Sequence, residues 1–576
     1  MLDSGAMIES AQEATPGAAQ TKLPWRSRII LACAAAAVLI SLTSHLGVIG
    51  LAGPDEPRYA WIARAMATSG DWVTPRLYGR PWFEKPILYY WAAAIGFRLH
   101  LPAEWAARLP SALAALAAAC AIAWLGCRFG ENSRGAPLTH KAALWAPLIF
   151  ATSVGGIGFS RAAAPDMLFS ASLTLAMACA AAALAHAGAL HSHAEPRKSN
   201  FQRACFALIL FGAFLGLSVL AKGPAGIILA GGATLFWAVV TRQWRAQFRL
   251  LHPAAIVAFG AVALPWYVLC AARNPDFIRV FIFEHNFSRY LTNEFQHRQP
   301  FWFFVPIALA ALLPWTALLF AAAQDGVHLW REKSWAKSSG FFFACWALFP
   351  ILFFSFSQSK LPGYILPAIP PACLLLGMAC ARRCPERRPI SWVPISLCIM
   401  CIALFVALLL QAKKLLADEQ LHLATMLAML ALAIVVAFAA AWWFSSQRVT
   451  AALATTVVAA VFVLELGAYF ILPAMEPAIS ARPAAALIAS VPLDQIATFR
   501  LRRSSQFQLN FYTRRDLPEW MPLDRTHSWV FTSQEGVRVI LYSGRGVVAE
   551  SANMSLGTEL RLLQLELPKA SPDKPN

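Results

Sequence analysis

The sequence predicts a polytopic α-helical membrane protein with about thirteen transmembrane helices and a small C-terminal α/β domain. Hydrophobic residues make up 58% of the 576 residues and charged residues only 14%, whereas about 25% of the residues in a soluble domain are charged. The apolar residues also fall into runs close to the roughly 20 residues that a helix needs to cross a bilayer. These observations exclude a soluble enzyme.

The apolar runs give thirteen candidate spans. Their approximate limits are residues 29–51, 106–127, 141–160, 166–189, 204–221, 224–241, 253–272, 301–322, 339–356, 363–381, 391–411, 422–444 and 449–472. The first span is longer than the apolar core of a signal peptide and no small-residue cleavage site follows it, so we interpret it as a retained helix. The run 87–99 is short and carries Arg98, which favours an interfacial helix over a span.

The distribution of basic residues predicts the direction of each span. If the tail 1–26 is cytoplasmic, the loops on that side carry the clusters of Lys and Arg that are typical of cytoplasmic loops. Within the membrane domain, 27–472, the loops that then face the exterior are 52–105, 161–165, 273–300 and 357–363. The net charge of +18 is explained by this bias and by contact with anionic lipid, so it does not indicate nucleic-acid binding.

The segment 473–576 is predicted to be a small α/β domain on the exterior side, with a disordered end. A helical stretch at 481–490 precedes three alternating runs that predict strands, SWVFTSQ, VRVILYS and ELRLLQLEL. The twelve cysteines of the chain lie almost all within apolar runs and none lies in this domain. They suggest neither a disulfide framework nor a zinc cluster.

An acidic pair, Asp55 and Glu56, directly follows the first span. The next residues predict an interfacial helix with one apolar face, formed by Tyr59, Ile62, Ala63 and Met66. A simpler interpretation is that Asp55 caps this helix. Because an unused charge is costly at membrane depth, we favour a functional carboxylate.

Further polar residues follow on the predicted exterior side. In WFEKP, Lys85 has the charge to hold a phosphate, although a surface ion pair with Glu84 is the simpler interpretation. Asp166 begins the fourth predicted span, where capping explains it equally well. Lys360 and Tyr364 lie in a Pro/Gly-interrupted membrane entry, which indicates a cavity.

Six basic residues on this side break the charge bias and require counter-charges. They are Arg58, Lys85, Lys222, Arg289, Arg298 and Lys360. Contact with lipid headgroups would explain any one of them, but six together favour a substrate that carries phosphate. No phosphate-binding glycine motif is present for a nucleotide, so the activated donor is expected to arrive as a lipid.

Several segments resemble, in order, the bacterial aminoarabinose transferases of lipid A and, more distantly, the protein O-mannosyltransferases of the GT-C superfamily. They are DEPRYAWIARAMATSGDWVTPRLYGRPWFEKPILYYW, AARLPSALAAL, SRAAAPDML, LAKGPAG, FIFEHNFSRYL with HRQPFWFF, and SKLPGYILPAIPP. The resemblance covers about residues 29–372. The sugar-contacting residues are not diagnostic, so the identity of the sugar stays open.

The resemblance implies a GT-C fold with thirteen transmembrane helices, interfacial helices in the first periplasmic loop and a periplasmic α/β domain. It also implies a multi-pass protein of the bacterial inner membrane that takes a sugar, 4-amino-4-deoxy-L-arabinose in the nearest relatives, from undecaprenyl phosphate to the phosphate of lipid A. The catalytic acids on matching positions are Asp55, Glu56 and Asp166. The donor-phosphate residues are Arg58, Tyr59, Lys85, Lys360 and Tyr364. A divalent metal ion, zinc or similar, would bind Glu84 and His285, although no close ligand spacing such as HxxxH enforces a site there.

Two other functions stay open. A protein O-glycosyltransferase would use the same kind of donor but attack Ser or Thr. A transporter or lipid flippase would explain the many spans, but the polar residues gather at one face instead of at mid-depth. Glu465 is the exception, since it is a charged residue within a predicted span.

Overall fold

The computed structural model describes residues 25–130, 139–190, 201–281, 299–333, 335–383, 449–488, 491–522, 524, 526–543, 545–551 and 560–566. Two predicted spans, 391–411 and 422–444, lie outside these residues, as do residues 1–24 of the predicted tail. Each of the other predicted spans falls on residues that are mostly helical.

The described residues of the membrane part form helices and, in the first loop, one short hairpin. The helices are α1 (Trp25–Thr43), α2 (Asp55–Ser69), α3 (Leu88–Arg98), α4 (Ala103–Phe129), α5 (Thr139–Thr152), α6 (Val154–Ser160), α7 (Pro165–His186), α8 (Phe201–Lys222), α9 (Ala225–Thr241), α10 (Trp244–Arg249), α11 (Pro253–Arg273), α12 (Phe304–Ala311), α13 (Leu318–Arg331), α14 (Ser339–Ser355) and α15 (Ile369–Arg383). The hairpin pairs β1 (Arg76–Leu77) with β2 (Arg80–Pro81).

Among the described residues, five helices are long and apolar enough to cross a membrane, or up to seven if each of two bent helix pairs is one span. The five are α4, α7, α8, α11 and the segment Pro362–Arg383, which contains α15. The chain is therefore a multi-pass membrane protein. Helix α7 is central, since 89% of its most apolar stretch is buried, and Asp166 lies at its first turn.

The predicted helix at 29–51 is too long, because α1 ends at Thr43. The chain turns at His45, where φ is +57°. Arg108 of α4 donates to three carbonyls of the turn, those of Leu46, Ile49 and Gly50. A side chain distant in sequence thus satisfies the backbone that a continued helix would have satisfied itself.

Two other predicted spans are bent. The predicted span 141–160 bends by 63° between α5 and α6. The predicted span 301–322 falls on a helix pair, Phe301–Ala311 and Trp315–Arg331, that bends by 112°. At the first bend, Ser153 Oγ accepts from Gly156 N and starts a new helix. The two bends contact each other, since Val154 N donates to Leu313 O over 3.0 Å.

Helix α3 is too short to be a span. Its 11 residues extend about 16 Å, whereas the hydrocarbon core is about 30 Å thick. It packs against α2 and α4, and Tyr89 OH donates to Ala107 O over 2.8 Å. This agrees with the prediction of a helix that does not cross the bilayer.

The C-terminal part contains a four-stranded sheet. Its elements, after α16 (Val449–Leu466), are α17 (Leu472–Ile479), α18 (Arg482–Leu487), β3 (Ile496–Phe499), α19 (Arg503–Thr513), β4 (Trp529–Thr532), α20 (Gln534–Tyr542), β5 (Val547–Ser551) and β6 (Arg561–Leu565). The strand order is β3-β4-β6-β5, in which β3 and β4 are parallel and the other pairs antiparallel.

One of the three predicted strands of this region is wrong. The run VRVILYS belongs to α20, whereas SWVFTSQ and ELRLLQLEL contain β4 and β6. Ser533 decides the outcome locally, because its Oγ accepts from Gly536 N and caps the helix. Gly536 and Ile540, four residues apart and therefore on the same face of the helix, are both buried.

Candidate functional site

The first candidate site surrounds Arg58 on α2. Its Nη2 lies 2.5 Å from Asp55 Oδ1, and its Nη1 lies 3.0 Å from Glu84 Oε2. Glu84 Oε1 also lies 3.9 Å from Lys85 Nζ. The four residues that the sequence predicted thus form one row of alternating negative and positive charges.

Local structure explains how these residues meet. Asp55 and Arg58 are three apart on α2, so their side chains lie on the same face. Glu84 and Lys85 return to α2 because the β1–β2 hairpin reverses the chain at Tyr78 and Gly79, both of which have positive φ, +52° and +80°. A two-residue hairpin turn that matches the twist of its strands requires positive φ at both central residues, and glycine adopts positive φ without strain.

The Asp55 side chain does not cap α2. The N-cap is Pro54 and no side-chain cap bond is made, so the simpler interpretation of Asp55 as a cap is wrong. Asp55 is instead 57% exposed beside Arg58, whose side chain is only 7% exposed. The carboxylate is therefore accessible to a substrate and is held by a buried cation.

Arg58 stays charged in an aromatic environment. Burial alone would lower its pKa, but Glu84, Tyr59 and Asp55 together raise it above the ordinary value. The guanidinium carbon lies 5.3, 5.5 and 5.7 Å from the ring centres of Tyr59, Trp82 and Phe507. Such stacking suits an arginine that keeps its charge with little water around it.

Three tyrosines lie behind Arg58. The ring centres of Tyr59, Tyr89 and Tyr90 are 6.0 to 6.1 Å apart in edge-to-face contacts. Burial, and then Glu84, raise the pKa values of Tyr59 and Tyr90. Both hydroxyls are therefore neutral at physiological pH. The buried hydroxyl of Tyr90 has no hydrogen-bond partner within the described part of the chain.

Glu56, although adjacent to Asp55, lies in a different network. Its carboxylate accepts from Arg108 Nη2 over 2.6 Å and from the backbone N–H groups of Ala52 and Ala163. Both side chains are buried, with 15% of Glu56 and 5% of Arg108 exposed. These contacts give Glu56 a scaffolding position that joins the start of α2, α4 and the turn before α7.

Asp166 forms a second polar cluster with Lys222 and Tyr364. Asp166 Oδ1 lies 2.5 Å from Lys222 Nζ, and Lys222 Nζ lies 5.3 Å from the Tyr364 ring centre. A side chain at Gly363 would approach Asp166 Oδ1 to 3.1 Å, so glycine lets the 357–363 turn come close. Asp166 makes no cap bond at the start of α7, where the N-cap residue is Ala164.

The expectation of counter-charges is confirmed for three of the six basic residues, Arg58, Lys85 and Lys222. Lys360 is satisfied differently, since its Nζ donates to Ser357 O over 2.6 Å. Burial lowers the pKa of Lys360. The other two, Arg289 and Arg298, lie outside the described residues.

A cavity of about 700 Å³ adjoins the Arg58 cluster. It is lined by Arg58, Pro81, Trp82, Phe83, Glu84, Arg273, Asn274, Pro275, Asp276, Arg279, Val280 and Arg503. Its walls come from the first loop, from the end of α11 and from α19 of the C-terminal part. This volume is typical of a small-molecule site.

The C-terminal part contacts the segments that carry the first site. Arg64 of α2 donates to Phe511 O over 2.9 Å, and its guanidinium lies 4.2 Å from the Phe511 ring centre. Tyr512 OH donates to Glu104 over 2.9 Å and accepts from Leu51 N. Helix α19 is therefore fastened to the loop that carries Asp55 and Arg58.

Sequence reasoning missed several arginines that line or support the first site. Arg108, Arg273 and Arg503 line or support the site, but each is one of many arginines in the sequence and no motif marks it. Glu465, which had no explanation in the sequence, accepts from Ser44 and lies 2.6 Å from His45 Nε2. The large separation along the chain hides all such pairs.

The predicted metal site rests on one described residue. Glu84 Oε2 contacts Arg58 and Oε1 faces Lys85, and His285 lies outside the described residues. Within the described ranges, no three His, Cys, Asp or Glu side chains form a group that would hold a metal ion.

Known glycosyltransferases are similar to this chain in sequence. Residues 27–281 match the family model of dolichyl-phosphate-mannose-protein mannosyltransferases. An undecaprenyl phosphate-α-4-amino-4-deoxy-L-arabinose arabinosyl transferase of Edwardsiella ictaluri is 33% identical over 324 residues, which are 56% of this chain and 54% of that protein. The homologue of Serratia proteamaculans is also 33% identical, over 325 residues. The chain thus matches about half the length of these relatives.

The similarity in structure extends further along the chain. The crystal structure of ArnT from Cupriavidus metallidurans bound to undecaprenyl phosphate superimposes with a TM-score of 0.73 at 21% identity, covering 95% of this chain and 99% of that one. Its apo form gives a TM-score of 0.72 at 22% identity. The chain is therefore similar in sequence to the arabinosyl transferases over about half of its length and has the fold of ArnT over nearly all of it.

Proposed function

We propose that this protein is an inverting glycosyltransferase that moves a sugar, 4-amino-4-deoxy-L-arabinose, from undecaprenyl phosphate to a phosphate of lipid A. The observation that carries the proposal is the cluster of Asp55, Arg58, Glu84 and Lys85, in which a 57% exposed carboxylate is held beside a buried arginine. The names of the sequence relatives and the ArnT fold support the same activity.

The proposal includes the arrangement in the membrane. The chain has thirteen spans in the inner membrane, residues 1–26 face the cytoplasm, and the first loop and 473–576 face the periplasm. Basic loops on the opposite side support this orientation. The cavity beside Arg58 and the cluster around Asp166 then open toward the side where a nucleotide sugar is absent and a lipid-linked donor is needed.

In the proposed reaction, an acceptor oxygen attacks the anomeric carbon, and the bond from that carbon to the undecaprenyl phosphate oxygen breaks with inversion. Lys85 and Arg58, together with Lys360 and Tyr364, stabilise the negative charge that develops on the departing phosphate. A phosphate acceptor is already nucleophilic and needs no strong base. Asp55 then stabilises the positive charge at the anomeric carbon and the sugar amine, and Asp166 is a second acid of the site.

Two parts of the proposal differ from the residue roles that the family resemblance implies. Glu56 is proposed to position α2 through Arg108 instead of contacting the substrate, because both of its oxygens are occupied. A divalent metal at Glu84 and His285 stays a prediction, and we derive the charge stabilisation from Lys85 and Arg58 alone.

The test is lipid A mass spectrometry in a Gram-negative strain that lacks its own aminoarabinose transferase. Expression of this chain is expected to add a pentosamine mass to lipid A. Asp55→Asn should abolish the adduct while the protein stays in the membrane, and Asp494→Asn, an exposed acid of the C-terminal part, should leave it unchanged. Normal adduct formation by the Asp55 variant would remove this residue from the mechanism.

A second candidate function is protein O-glycosylation, because the matched family model is that of protein mannosyltransferases. In that reaction the acceptor is a hydroxyl, and Asp55 would have to accept its proton as a general base. Glycosylated periplasmic proteins without any lipid A adduct in the same strain would favour it.

The lipid A adduct of the first candidate function is also expected to weaken killing by cationic peptides, since it masks phosphate charge.

A further inference from the structure

We infer that the 700 Å³ cavity is the binding site for a phosphate group of the acceptor lipid and that Arg503 of the C-terminal part belongs to it. This inference rests on the proposed function and names the subsite for its acceptor. The cavity joins three chain segments, and one of them, α19, comes from the part of the chain in which sequence reasoning found no functional residue.

The charge of the cavity wall fits an anion. Four arginines, Arg58, Arg273, Arg279 and Arg503, line it, but only two acids, Glu84 and Asp276. The wall thus has a net charge of +2. A concave wall with a net positive charge concentrates the field in the cavity and attracts anions. Arginine is also the side chain whose planar donors match the oxygens of a phosphate.

Arg503 differs from the other arginines in its partners. Arg58 is held by Asp55 and Glu84, and Arg273 lies 3.4 Å from Asp71. Arg279 pairs with Asp276. Arg503 is exposed and has no carboxylate partner within the described ranges; its guanidinium lies 5.2 Å from the Phe507 ring centre. Its donors are therefore available to a ligand.

Phe507 contacts two of these cations. The guanidinium carbons of Arg58 and Arg503 lie 5.7 and 5.2 Å from the centre of this one ring, and both residues line the cavity. The ring thus holds an arginine of the first loop and an arginine of the C-terminal part at the same cavity wall. A phosphate bound in the cavity would be attracted by both cations.

The cavity is lined by only one of the four residues proposed for the departing donor phosphate. This residue is Arg58, and the lining contains none of Lys85, Lys360 and Tyr364. Arg58 also pairs with Asp55. An acceptor phosphate in the cavity would thus lie next to the proposed catalytic acid, while the donor phosphate keeps its other three residues.

The test measures binding to the full-length protein in nanodiscs of uncharged lipid. The probes are bisphosphorylated lipid A, the same lipid with both phosphates removed, and undecaprenyl phosphate. The variants are Arg503→Ala, Arg503→Lys and the double variant Arg273→Ala with Arg503→Ala. The matched control is Arg500→Ala, which removes the same charge from the same region at a residue that pairs with Glu535 outside the cavity.

We expect the double variant to bind bisphosphorylated lipid A at least tenfold more weakly and to bind undecaprenyl phosphate within twofold of the unmodified protein. Arg503→Lys should recover part of the loss, because it restores the charge but not the paired donors. Inorganic phosphate in excess should compete with lipid A, which separates recognition of phosphate from contact with the acyl chains.

Two results would overturn the inference: equal binding of lipid A with and without its phosphates, or unchanged lipid A binding by the double variant. A failure of the proposed function looks different. In that case the unmodified protein itself would not bind undecaprenyl phosphate or would form no lipid A adduct, whatever residue stands at 503.

Discussion

Two buried arginines, Arg58 of α2 and Arg108 of α4, have different roles although both bind carboxylates. Arg108 donates to three carbonyls and to both oxygens of Glu56. Arg58 pairs with two carboxylates, one of them exposed, and lines a cavity. Burial alone therefore does not mark a functional residue; what matters is whether the partners of that residue belong to the scaffold or are open to a ligand.

The largest expected effect separates the two arginines directly. Arg108→Met should destabilise the protein by about 3–5 kcal/mol, because it leaves the Glu56 carboxylate buried without its cation. Arg58→Met should lower thermal stability less, since Asp55 is exposed and Glu84 keeps Lys85, but it should abolish transfer. Thermal unfolding in nanodiscs and lipid A mass spectrometry measure the two effects. Arg245→Ala, on an exposed residue of α10, is the control; a stable Arg108 variant would contradict the scaffold role.

A smaller effect would show whether the Asp166–Lys222 pair belongs to the scaffold, like Arg108, or to the reaction site, like Arg58. Lys222→Met should cost about 1–3 kcal/mol, because the half-buried carboxylate loses its partner. Adding Asp166→Asn should restore most of that stability but not the lipid A adduct, if both charges serve the reaction. Recovery of the adduct by the double variant would make the pair a scaffold like Arg108 and Glu56. The double-mutant cycle needs all four proteins measured together.

The smallest effect concerns a carboxylate of the C-terminal part that contacts neither arginine in the described structure. Burial alone would raise the pKa of Asp524, but hydrogen bonds from Thr526 and His527 lower it from 3.8 to about 2. Because the folded pKa lies below the unfolded value, the stabilisation is present above about pH 4 and is lost as the pH falls toward 2. Because solvent screens this partly exposed carboxylate, the stabilisation amounts to about 1 kcal/mol. Asp524→Asn should therefore lower the unfolding temperature at pH 5 but not near pH 2, and equal unfolding at both would contradict it.

Much of the first site was predictable from the sequence. Asp55, Arg58, Glu84 and Lys85 lie within 31 consecutive residues, and helix spacing with a tight hairpin is enough to bring them together. The buried face of α2, with Tyr59, Ile62, Ala63 and Met66, also follows from periodicity and is confirmed. Local patterns of this kind are readable because neighbours in the chain decide them.

Other parts were not predictable, because their partners are distant. The end of α1 depends on Arg108, which is 62 residues from Leu46. The roles of Asp55 and Glu56 cannot be told apart from two adjacent acids, since only the fold brings Arg108 to one of them. The strand predicted at VRVILYS failed for a local reason, a serine cap that alternation of apolar residues does not reveal.

The sequence by itself determined that the chain is a polytopic membrane protein, where most of its helices lie and that acids and bases gather in the first loop. These properties depend on composition and short-range periodicity, which act before any long-range contact forms. The long-range contacts decided that Asp55 stays exposed while Glu56 binds Arg108, and that Arg58 and Arg503 contact the same ring, Phe507. Those outcomes depend on contacts between segments up to several hundred residues apart, and a hydrogen bond forms only where the fold brings both of its partners.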